Sequence, residues 1–250
     1  MITLKTAEQI KRIEESCRLT AELMRRLALF MEAGMSTWEV DKFCYDFITG
    51  HNGVPAFLDY GGFPASACIS INEEVIHGIP SRKRIIQRGD LVDIDIGINL
   101  AGHFSDMART FIIGETDRER QQLNRVTEEC LRLGIEAAGR PGARIQDIGK
   151  AVHKHATSHG YGVVRDYCGH GVGLAVHEEP EIPNYPSSYL PNPRIREGMV
   201  LAIEPMINMG TAKVRVLKDN WTVVTSDGLP SSHFEDTVAI TNEGLKVLTV

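Results

Sequence analysis

Apolar residues recur at helical spacing in four segments of the chain. The first begins with a capping box at Thr6 and Gln9, carries apolar residues up to Leu27 and is stopped by Gly34. Together the patterns predict helices over residues 6–33, 36–50, 116–139 and 144–160. The order of a long helix, a glycine, a short helix and a glycine therefore occurs twice.

Two strand patterns also match each other, at an offset of 109 residues. Residues 88–95 and 197–204 both read charged, Gly, any, two apolar, any, Ile, and each ends in a carboxylate. No segment rich in Pro, Gly or Ser separates the two copies. We therefore expect one α/β domain over residues 1–250, with similar halves at roughly 1–112 and 113–250 that share a sheet. The alternative is a chance similarity of two strands that begin after a glycine.

Composition narrows the class of protein but does not identify its chemistry. The 250 residues are 42% hydrophobic and 24% charged with a net charge of -6, which excludes a disordered or collagen-like chain. The negative charge argues against a nucleic-acid or membrane partner, and no apolar run reaches the ~18–20 residues that span a bilayer. Five widely spaced cysteines without a C-x-x-C, and no signal-peptide pattern, indicate a cytoplasmic protein with reduced, buried thiols.

Residues 91–99 and 103–113 read as the two strands of a hairpin. If its turn is centred on Leu100 and Ala101, paired residue numbers sum to 201, and Asp95 lies directly opposite Asp106. Opposed side chains share a face at roughly 4.5–5.5 Å between Cβ atoms, so two carboxylates would repel each other among apolar neighbours. A divalent cation would neutralise both, whereas the alternative is a solvated pair on an exposed face. For Asp93 we expect an ordinary solvated or paired carboxylate.

The second half of the chain supplies matching polar residues. Glu204 lies on an apolar strand, Glu235 begins another, and His170 stands between two glycines. His177 and His77 each lie near a proline. One imidazole with several carboxylates suits Mn, Fe, Co or Zn, and four carboxylates could hold two ions.

The order Asp95, Asp106, His170, Glu204 and Glu235 resembles that of the methionine aminopeptidases. The glycine-flanked His170, with His177 seven residues later, is similar to the signature of their type I enzymes, within residues 167–185. The resemblance extends over nearly the whole chain. It implies the "pita-bread" fold, in which two related α/β halves form a curved antiparallel sheet flanked by two helix pairs. It also implies a dinuclear metallo-aminopeptidase that removes the initiator methionine.

The resemblance assigns the five residues to a pair of divalent ions. It implies that Asp106 and Glu235 bridge both ions, that Asp95 completes the shell of one, and that His170 and Glu204 complete the other. The ions would be Co, Mn, Fe or Zn and would activate a water molecule.

Further roles follow from the same resemblance. Glu204 would shuttle a proton, His177 would hydrogen-bond the developing oxyanion, and His77 would contact the scissile amide. The family's pocket for the methionine side chain falls here on Phe57, Tyr60, Phe63, Cys68 and Trp221. Aromatic walls suit a thioether, with sulfur–aromatic contacts of roughly 0.3–1.5 kcal/mol. Taken singly, these five could equally be ordinary core residues.

Two positions depart from the family pattern. Asp236 stands where the family usually has His, which would change the surroundings of Glu235 and could alter the choice of metal. Val176 stands where many bacterial members have a larger residue, which would open the edge of the pocket. The spacing from His177 to Glu204 leaves no room for the type II insertion, so the chain resembles the short bacterial form.

The expected partners are peptide and nascent-chain N-termini, at the ribosome, with no nucleic-acid motif, no membrane and no sign of an oligomer. Two alternative functions stay open at this point. One is a proline-directed peptidase of the same fold, such as aminopeptidase P or prolidase, although these have an extra N-terminal domain. The other is a non-catalytic binding protein of this fold, although such proteins lose metal ligands.

Overall fold

Four helices and fifteen strands make up the computed structural model, which describes residues 1–250. The helices are α1 Ala7–Phe30, α2 Thr37–Gly50, α3 Arg118–Ala138 and α4 Ile145–Ser158, with a 3₁₀ turn at Tyr60–Gly62. The strands of the first half are β1 Val54–Pro55, β2 Cys68–Ile71, β3 Glu74–Ile76, β4 Leu91–Leu100 and β5 His103–Ile112. Those of the second half are β6 Gly162–Val163, β7 Gly169–Gly171, β8 Glu178–Ile182, β9 Val200–Ile203, β10 Met206–Asn208, β11 Val214–Val216, β12 Val223–Thr225, β13 Ser231–His233, β14 Glu235–Thr241 and β15 Gly244–Val247.

The four predicted helices are confirmed, with one change at a helix start. Capping boxes at Thr6 and Ser36 open α1 and α2, as the sequence indicates. The third helix begins one residue later than predicted, because Asp117 and not Thr116 is its N-cap. The Asp117 carboxylate accepts a hydrogen bond from the Arg120 N–H at 2.8 Å and leaves Thr116 outside the helix.

Nine strands form one antiparallel sheet, in the order β1-β4-β5-β14-β9-β7-β8, with β2 also paired to β4 and β15 to β14. Two three-stranded sheets, β13-β10-β6 and β11-β12-β3, flank it. The predicted mixed α/β architecture with an antiparallel sheet is therefore present. None of the helices combines the length and hydropathy that crossing a bilayer requires.

Both helix pairs pack on one face of the large sheet. Its register places Ile96, Met107 and Ile203 in one line across β4, β5, β14 and β9. The first two belong to the apolar cluster that contains residues of α1 and α2, whereas Ile203 packs with residues of α3 and α4. The opposite face of these strands carries Asp95, Asp106 and Glu235.

The repeat seen in the sequence has a structural counterpart. Helices α2 and α4 both have 14 residues and begin 108 positions apart. An isolated bridge joins Ser36 to Ile85 before α2, and another joins Arg144 to Arg194 before α4. Corresponding elements thus occupy corresponding places in the two halves.

The register of the central hairpin differs from the predicted one by two residues. The turn is Ala101 and Gly102, and paired residue numbers sum to 203, so Asp95 lies opposite Ala108 and Asp106 opposite Gly97. Both turn residues have positive φ, which matches a tight two-residue hairpin turn. Because the shift is an even number, Asp95 and Asp106 still share a face, as diagonal neighbours.

The cysteines differ slightly from expectation. All five are free, and four of them are buried, but Cys168 is only half-buried.

Candidate metal centre and substrate pocket

One line of directly opposed residues crosses the polar face of the sheet. Asp95 on β4 pairs with Ala108 on β5, and Ala108 pairs with Glu235 on β14. Cys68 on β2 extends the line beyond Asp95. Because directly opposed side chains lie on one face, Asp95 and Glu235 point to the same side with only the methyl group of Ala108 between them.

Asp106, His170 and Glu204 join this line from neighbouring positions. Asp106 lies two residues before Ala108 on β5 and so shares its face. His170 on β7 pairs with Ala202 on β9, and Glu204 follows two residues after Ala202, immediately beyond the end of that strand.

Short distances show how closely these groups gather. The ligand atoms of Asp106, His170 and Glu235 all lie within 4.8 Å of one another, and the three residues are buried. The Nε2 atom of His170 is 3.7 Å from Asp106 Oδ2 and 3.4 Å from Glu204 Oε1. The structure thus brings together all five residues that the resemblance assigns to metal binding.

Crowding of negative charge shifts the ionisation of these carboxyls. Withdrawal from water, helped by the charges of Asp93 and Glu204 and opposed by His233, raises the pKa of Asp95 to about 8. Burial and the neighbouring carboxylates raise the pKa values of Asp106 and Glu235 well above the ordinary range. A cluster of this kind is costly without a compensating positive charge.

The donor atoms fit a divalent cation. Asp95 Oδ1 and Glu235 Oε1 are buried without any hydrogen-bond partner. His170 Nδ1 lies 2.9 Å from the carbonyl oxygen of Gly171, which can only accept, so Nδ1 carries the hydrogen and Nε2 presents a lone pair to the carboxylates. Burial lowers the pKa of His170 to about 3, which keeps the ring neutral. Carboxylate oxygens with one neutral imidazole are the ligands that divalent ions of the first transition row accept.

A cavity of about 220 Å³ opens beside the carboxylates. Its lining contains the five carboxylate and imidazole residues just described, together with the residues that the resemblance assigns to substrate binding and catalysis. These others are Phe57, Tyr60, Phe63, Cys68, His77, His177 and Trp221.

Two histidines flank the cavity at different depths. His177 is exposed at the mouth, where its Nδ1 atom lies 2.9 Å from the Tyr60 hydroxyl and its ring stands 4.2 Å from the ring of His170. His77 is more withdrawn and has φ of 59°, an unusual conformation for a residue with a side chain. Burial, followed by the proximity of His233 and His177, lowers the pKa of His77 to about 4.

The wall of the cavity is aromatic and apolar. Phe63 meets Trp221 edge to face at 5.2 Å, and Trp221 in turn lies 6.3 Å from the His77 ring. Phe57 and Cys68 belong to the same apolar cluster. Burial, with Asp95 nearby, raises the pKa of the Cys68 thiol far above its usual value, so this cysteine is a neutral wall residue.

The two departures from the family pattern lie on different sides of the sheet. Asp236 pairs with Met107 and Ile203, so it faces away from the carboxylate cluster, and it accepts hydrogen bonds from Arg109 and Thr249 at 2.6 Å. Arg109 also donates a hydrogen bond to the backbone carbonyl of Glu235, so the same guanidinium group contacts both the Asp236 side chain and the main chain of Glu235.

Val176 is buried in the same apolar cluster as Phe57 and Phe63. It is not among the residues that line the cavity, so an open pocket edge at this position stays a prediction.

Two residues of the site, Ala108 and His233, were not predicted from the sequence. Ala108 lies between Asp95 and Glu235. Of the two expectations for Asp93, a solvated or a paired carboxylate, the structure has the paired one, because Asp93 is buried beside His233. Alternation along residues 106, 108 and 110 could have indicated Ala108, because it falls on the same face as Asp106. No local pattern indicates His233, whose partners Asp93 and Glu204 are 140 and 29 residues away.

Known proteins resemble this chain over nearly its whole length. The model of metallopeptidase family M24 matches residues 11–242. A protein of Treponema pallidum named methionine aminopeptidase is 54% identical over 249 residues, which cover 100% of this chain and 96% of the relative. The crystal structure of methionine aminopeptidase from Rickettsia prowazekii superposes with a TM-score of 0.95 at 37% identity, with 100% of both chains covered. The predicted pita-bread fold is thereby confirmed.

The proline-directed alternative is represented among the similar structures but fits less well. Prolidase from Pyrococcus furiosus has a TM-score of 0.76 and 28% identity, and the match covers 99% of this chain but 65% of the prolidase chain. The family model matches most of the chain, the relatives are of nearly equal length, and the cluster of Asp106, His170 and Glu235 suits a metallopeptidase. This chain belongs to metallopeptidase family M24.

Proposed function

We propose that this protein is a metal-dependent aminopeptidase that removes the initiator methionine from newly made proteins. Its full-length relatives carry the name methionine aminopeptidase, and the family is one of metallopeptidases. The observation that carries the proposal is the cluster of Asp106, His170 and Glu235 beside an apolar cavity of about 220 Å³, which suits one small side chain.

We further propose that two divalent ions bind here, chosen from Co, Mn, Fe or Zn. Asp106 and Glu235 would serve both ions, Asp95 would complete one shell, and His170 with Glu204 the other. The two buried oxygens without partners, on Asp95 and Glu235, support this assignment. Bound ions of this kind lower the pKa of a water molecule and polarise a carbonyl group.

Glu204, His177 and His77 would carry out proton transfer, oxyanion stabilisation and contact with the scissile amide, respectively. Glu204, whose pKa is raised chiefly by burial, would accept a proton from the attacking water and pass it on to the leaving amine. His177 stands at the mouth of the cavity with its ring oriented by Tyr60, and would donate a hydrogen bond to the developing oxyanion. His77, held in an unusual backbone conformation on the other side, would contact the scissile amide.

The aromatic wall would select the first side chain of the substrate. Phe57, Tyr60, Phe63, Cys68 and Trp221 would enclose a methionine side chain, whose flexible thioether adapts to aromatic surfaces. Because the proposed ions would neutralise Asp95 and Asp106, the free α-amine of the substrate would bind in its uncharged form to the ion beside Asp95. Both features support cleavage at the N-terminus and not at internal bonds.

The setting of this activity is also part of the proposal. Residues 1–250 would act as one catalytic domain with halves 1–112 and 113–250, as a monomer in the cytoplasm that meets its substrates at the ribosome. The sheet supports the single domain, because β14 and β9 of the second half continue the sheet of β4 and β5.

The activity is tested with two peptides. We expect the protein, loaded in turn with Co²⁺, Mn²⁺ or Fe²⁺, to release methionine from Met-Ala-Ser, to lose that activity in chelator, and to leave an X-Pro peptide uncut. Cleavage of the X-Pro peptide instead would favour a prolidase-like enzyme. If neither peptide is cut with any metal, the protein is a binding protein and not a peptidase.

The ligand assignment is tested with Glu235→Ala. We expect this change to lower kcat/KM for Met-Ala-Ser by more than about 100-fold, since changes beyond the ligands already cost roughly 10–100-fold. Calorimetry should show the loss of one bound ion. The matched control is Glu243→Ala, an exposed glutamate in the turn after the same strand, which should leave both measurements unchanged. Full activity of Glu235→Ala would overturn the assignment.

A further inference from the structure

His233 is buried between two carboxylates. Its side chain is 1% exposed, with Nδ1 at 3.4 Å from Asp93 Oδ2 and Nε2 at 3.6 Å from Glu204 Oε2. A buried imidazole normally finds at least one close partner, and here each ring nitrogen faces an oxygen of a different carboxylate. His233 thus connects Asp93, which is not a proposed ligand, to Glu204, which is.

Hydrogen bonds to Thr110 fix the backbone of His233 beside Asp93. The Thr110 hydroxyl accepts a hydrogen bond from the His233 backbone N–H and donates one to the His233 carbonyl oxygen, both at 2.9 Å. Thr110 pairs with Asp93 across the β4–β5 ladder and its hydroxyl lies 3.4 Å from Asp93 Oδ1. The regular hairpin of the first half therefore fixes the position of the histidine.

Glu204 has less support of its own. It follows the last residue of β9 and precedes Pro205, and its backbone carbonyl accepts a hydrogen bond from the Asn184 side chain at 2.9 Å. Its two carboxylate oxygens face different rings, since Oε1 lies 3.4 Å from His170 Nε2 and Oε2 lies 3.6 Å from His233 Nε2. His170 Nε2 carries a lone pair and cannot donate to Glu204, so the buried Nε2 of His233, which has no other partner, is the ring nitrogen that can orient this carboxylate.

We propose that His233, oriented by Asp93, is a positioning residue that holds one oxygen of Glu204 so that the other faces the metal ligands. The inference depends on the proposed role of Glu204 as a ligand and proton carrier. A partner of this kind stabilises one orientation of a carboxylate, and the loss of such partners costs roughly 10–100-fold in metal affinity or activity.

His233→Ala and His233→Gln test the proposal. We expect the alanine variant to reduce kcat for Met-Ala-Ser and the affinity for Co²⁺ by roughly 10–100-fold, with KM changed little, because the substrate wall is intact. Glutamine should restore most of both values, since its amide N–H can reach the same carboxylate oxygen. The visible spectrum of bound Co²⁺ should change in the alanine variant and return toward the original in the glutamine variant.

The matched control is His155→Ala. His155 on α4 also pairs with a glutamate, since its Nε2 atom lies 2.7 Å from Oε2 of Glu129 on α3. Neither residue lines the cavity. We expect this variant to leave kcat, the Co²⁺ affinity and the spectrum unchanged.

The outcomes separate this proposal from the proposed function. If the unsubstituted protein neither binds Co²⁺ nor cleaves Met-Ala-Ser, the proposed function fails. If it does both and folded His233→Ala keeps kcat and Co²⁺ affinity within about twofold, the positioning role is overturned. Should His233→Ala not fold, Asp93→Asn decides, because an unchanged kcat and Co²⁺ affinity in that near-isosteric variant contradict the proposal equally.

Discussion

The two halves of the sheet present their metal-ligand candidates in different ways. Asp95 and Asp106 of the first half lie within a ladder of ten consecutive residue pairs between β4 and β5. His170, Glu204 and Glu235 of the second half lie at the centre of a three-residue strand, just beyond a strand end, and at a strand start.

This difference shows that in two similar halves the local backbone need not orient the corresponding side chains equally well. In a long ladder, the backbone hydrogen bonds fix each side chain on a face, so Asp95 and Asp106 require no further partner to point correctly. At a strand end the backbone constrains the side chain less, and neighbouring side chains must orient it. In our proposal His233 supplies that orientation for Glu204.

Among the changes that compare the two halves, the largest expected effect comes from adding volume inside the ladder. Ala108→Val places two methyl groups between Asp95 and Glu235, where a regular ladder has no freedom to move aside. We expect the affinity for Co²⁺, measured by calorimetry, to fall by about tenfold or more, with a stability loss of about 1–3 kcal/mol from overpacking.

The matched change in the second half is Ala202→Val. Ala202 is also fully buried, but it pairs with His170 and Thr237 and so borders one proposed ligand instead of two. We expect a clearly smaller loss of Co²⁺ affinity. Equal losses in the two variants would remove the contrast between the halves.

A second, intermediate effect concerns the stability of the metal-free protein. The pKa of Asp106 is raised well above its ordinary value by burial and by Asp95 and Glu204, whereas the unfolded chain releases this proton near pH ~3.9. The folded state therefore binds more protons between these values, and its stability falls as the pH rises. Asp106→Asn removes this penalty, so its advantage in Tm over the unsubstituted protein should grow from about pH 5 to about pH 8 while its metal binding is lost.

Asp93→Asn should behave in the opposite way. Burial lowers the pKa of His233, but Asp93 and Glu204 together outweigh it and raise that pKa well above its usual value. Removing Asp93 leaves the buried ring without its main partner, so we expect Tm to fall by several degrees, consistent with ~2–4 °C for each kcal/mol in a chain of this length. Scanning calorimetry in chelator measures both variants, and a higher Tm for Asp93→Asn would contradict the pairing.

The smallest expected effect comes from a buried ion pair that supports the His177 loop. Lys5 Nζ lies 2.6 Å from Glu178 Oε2, and Glu178 Oε1 accepts hydrogen bonds from the N–H groups of Leu174 and Ala175. Lys5→Met should loosen this loop and lower kcat for Met-Ala-Ser on the order of threefold, the lower range of effects transmitted through packed neighbours.

The control for Lys5 is an exposed ion pair of the same kind. Lys246 Nζ lies 2.7 Å from Glu14 Oε2, but its side chain is 51% exposed. Lys246→Met should change neither kcat nor Tm measurably, since exposed pairs contribute about 0–1 kcal/mol. If the two variants gave the same kcat, the ion pair at Lys5 would have no role in placing His177.

Local patterns predicted much of this molecule. The capping boxes at Thr6 and Ser36 and the glycines after each helix predict all four helices to within a few residues, because these signals act between neighbours in the chain. The 109-residue offset predicts two halves with corresponding helix pairs. The start of α3 was missed by one residue because both Thr116 and Asp117 can cap a helix.

The hairpin shows where local reasoning is insufficient. The order of its strands and the shared face of Asp95 and Asp106 follow from alternation alone, but the pairing was wrong by two residues. The turn at Ala101 and Gly102 sets the register. Ala101 has a positive φ in this turn, and the identity of an alanine does not predict that conformation. The shared face survived because an even shift preserves alternation.

The sequence by itself determined the helices, the repeat, the apolar strands and the kinds of ligand available, since all of these depend on residue type and spacing. The tertiary structure decided what no spacing encodes. It placed Ala108 between Asp95 and Glu235, buried Asp93 against His233, and turned Asp236 to the opposite face from the carboxylate cluster. The physical reason is that the contacts of Ala108 with Glu235 and of Asp93 with His233 join residues more than 100 positions apart, and their geometry exists only once the strands of both halves share one sheet.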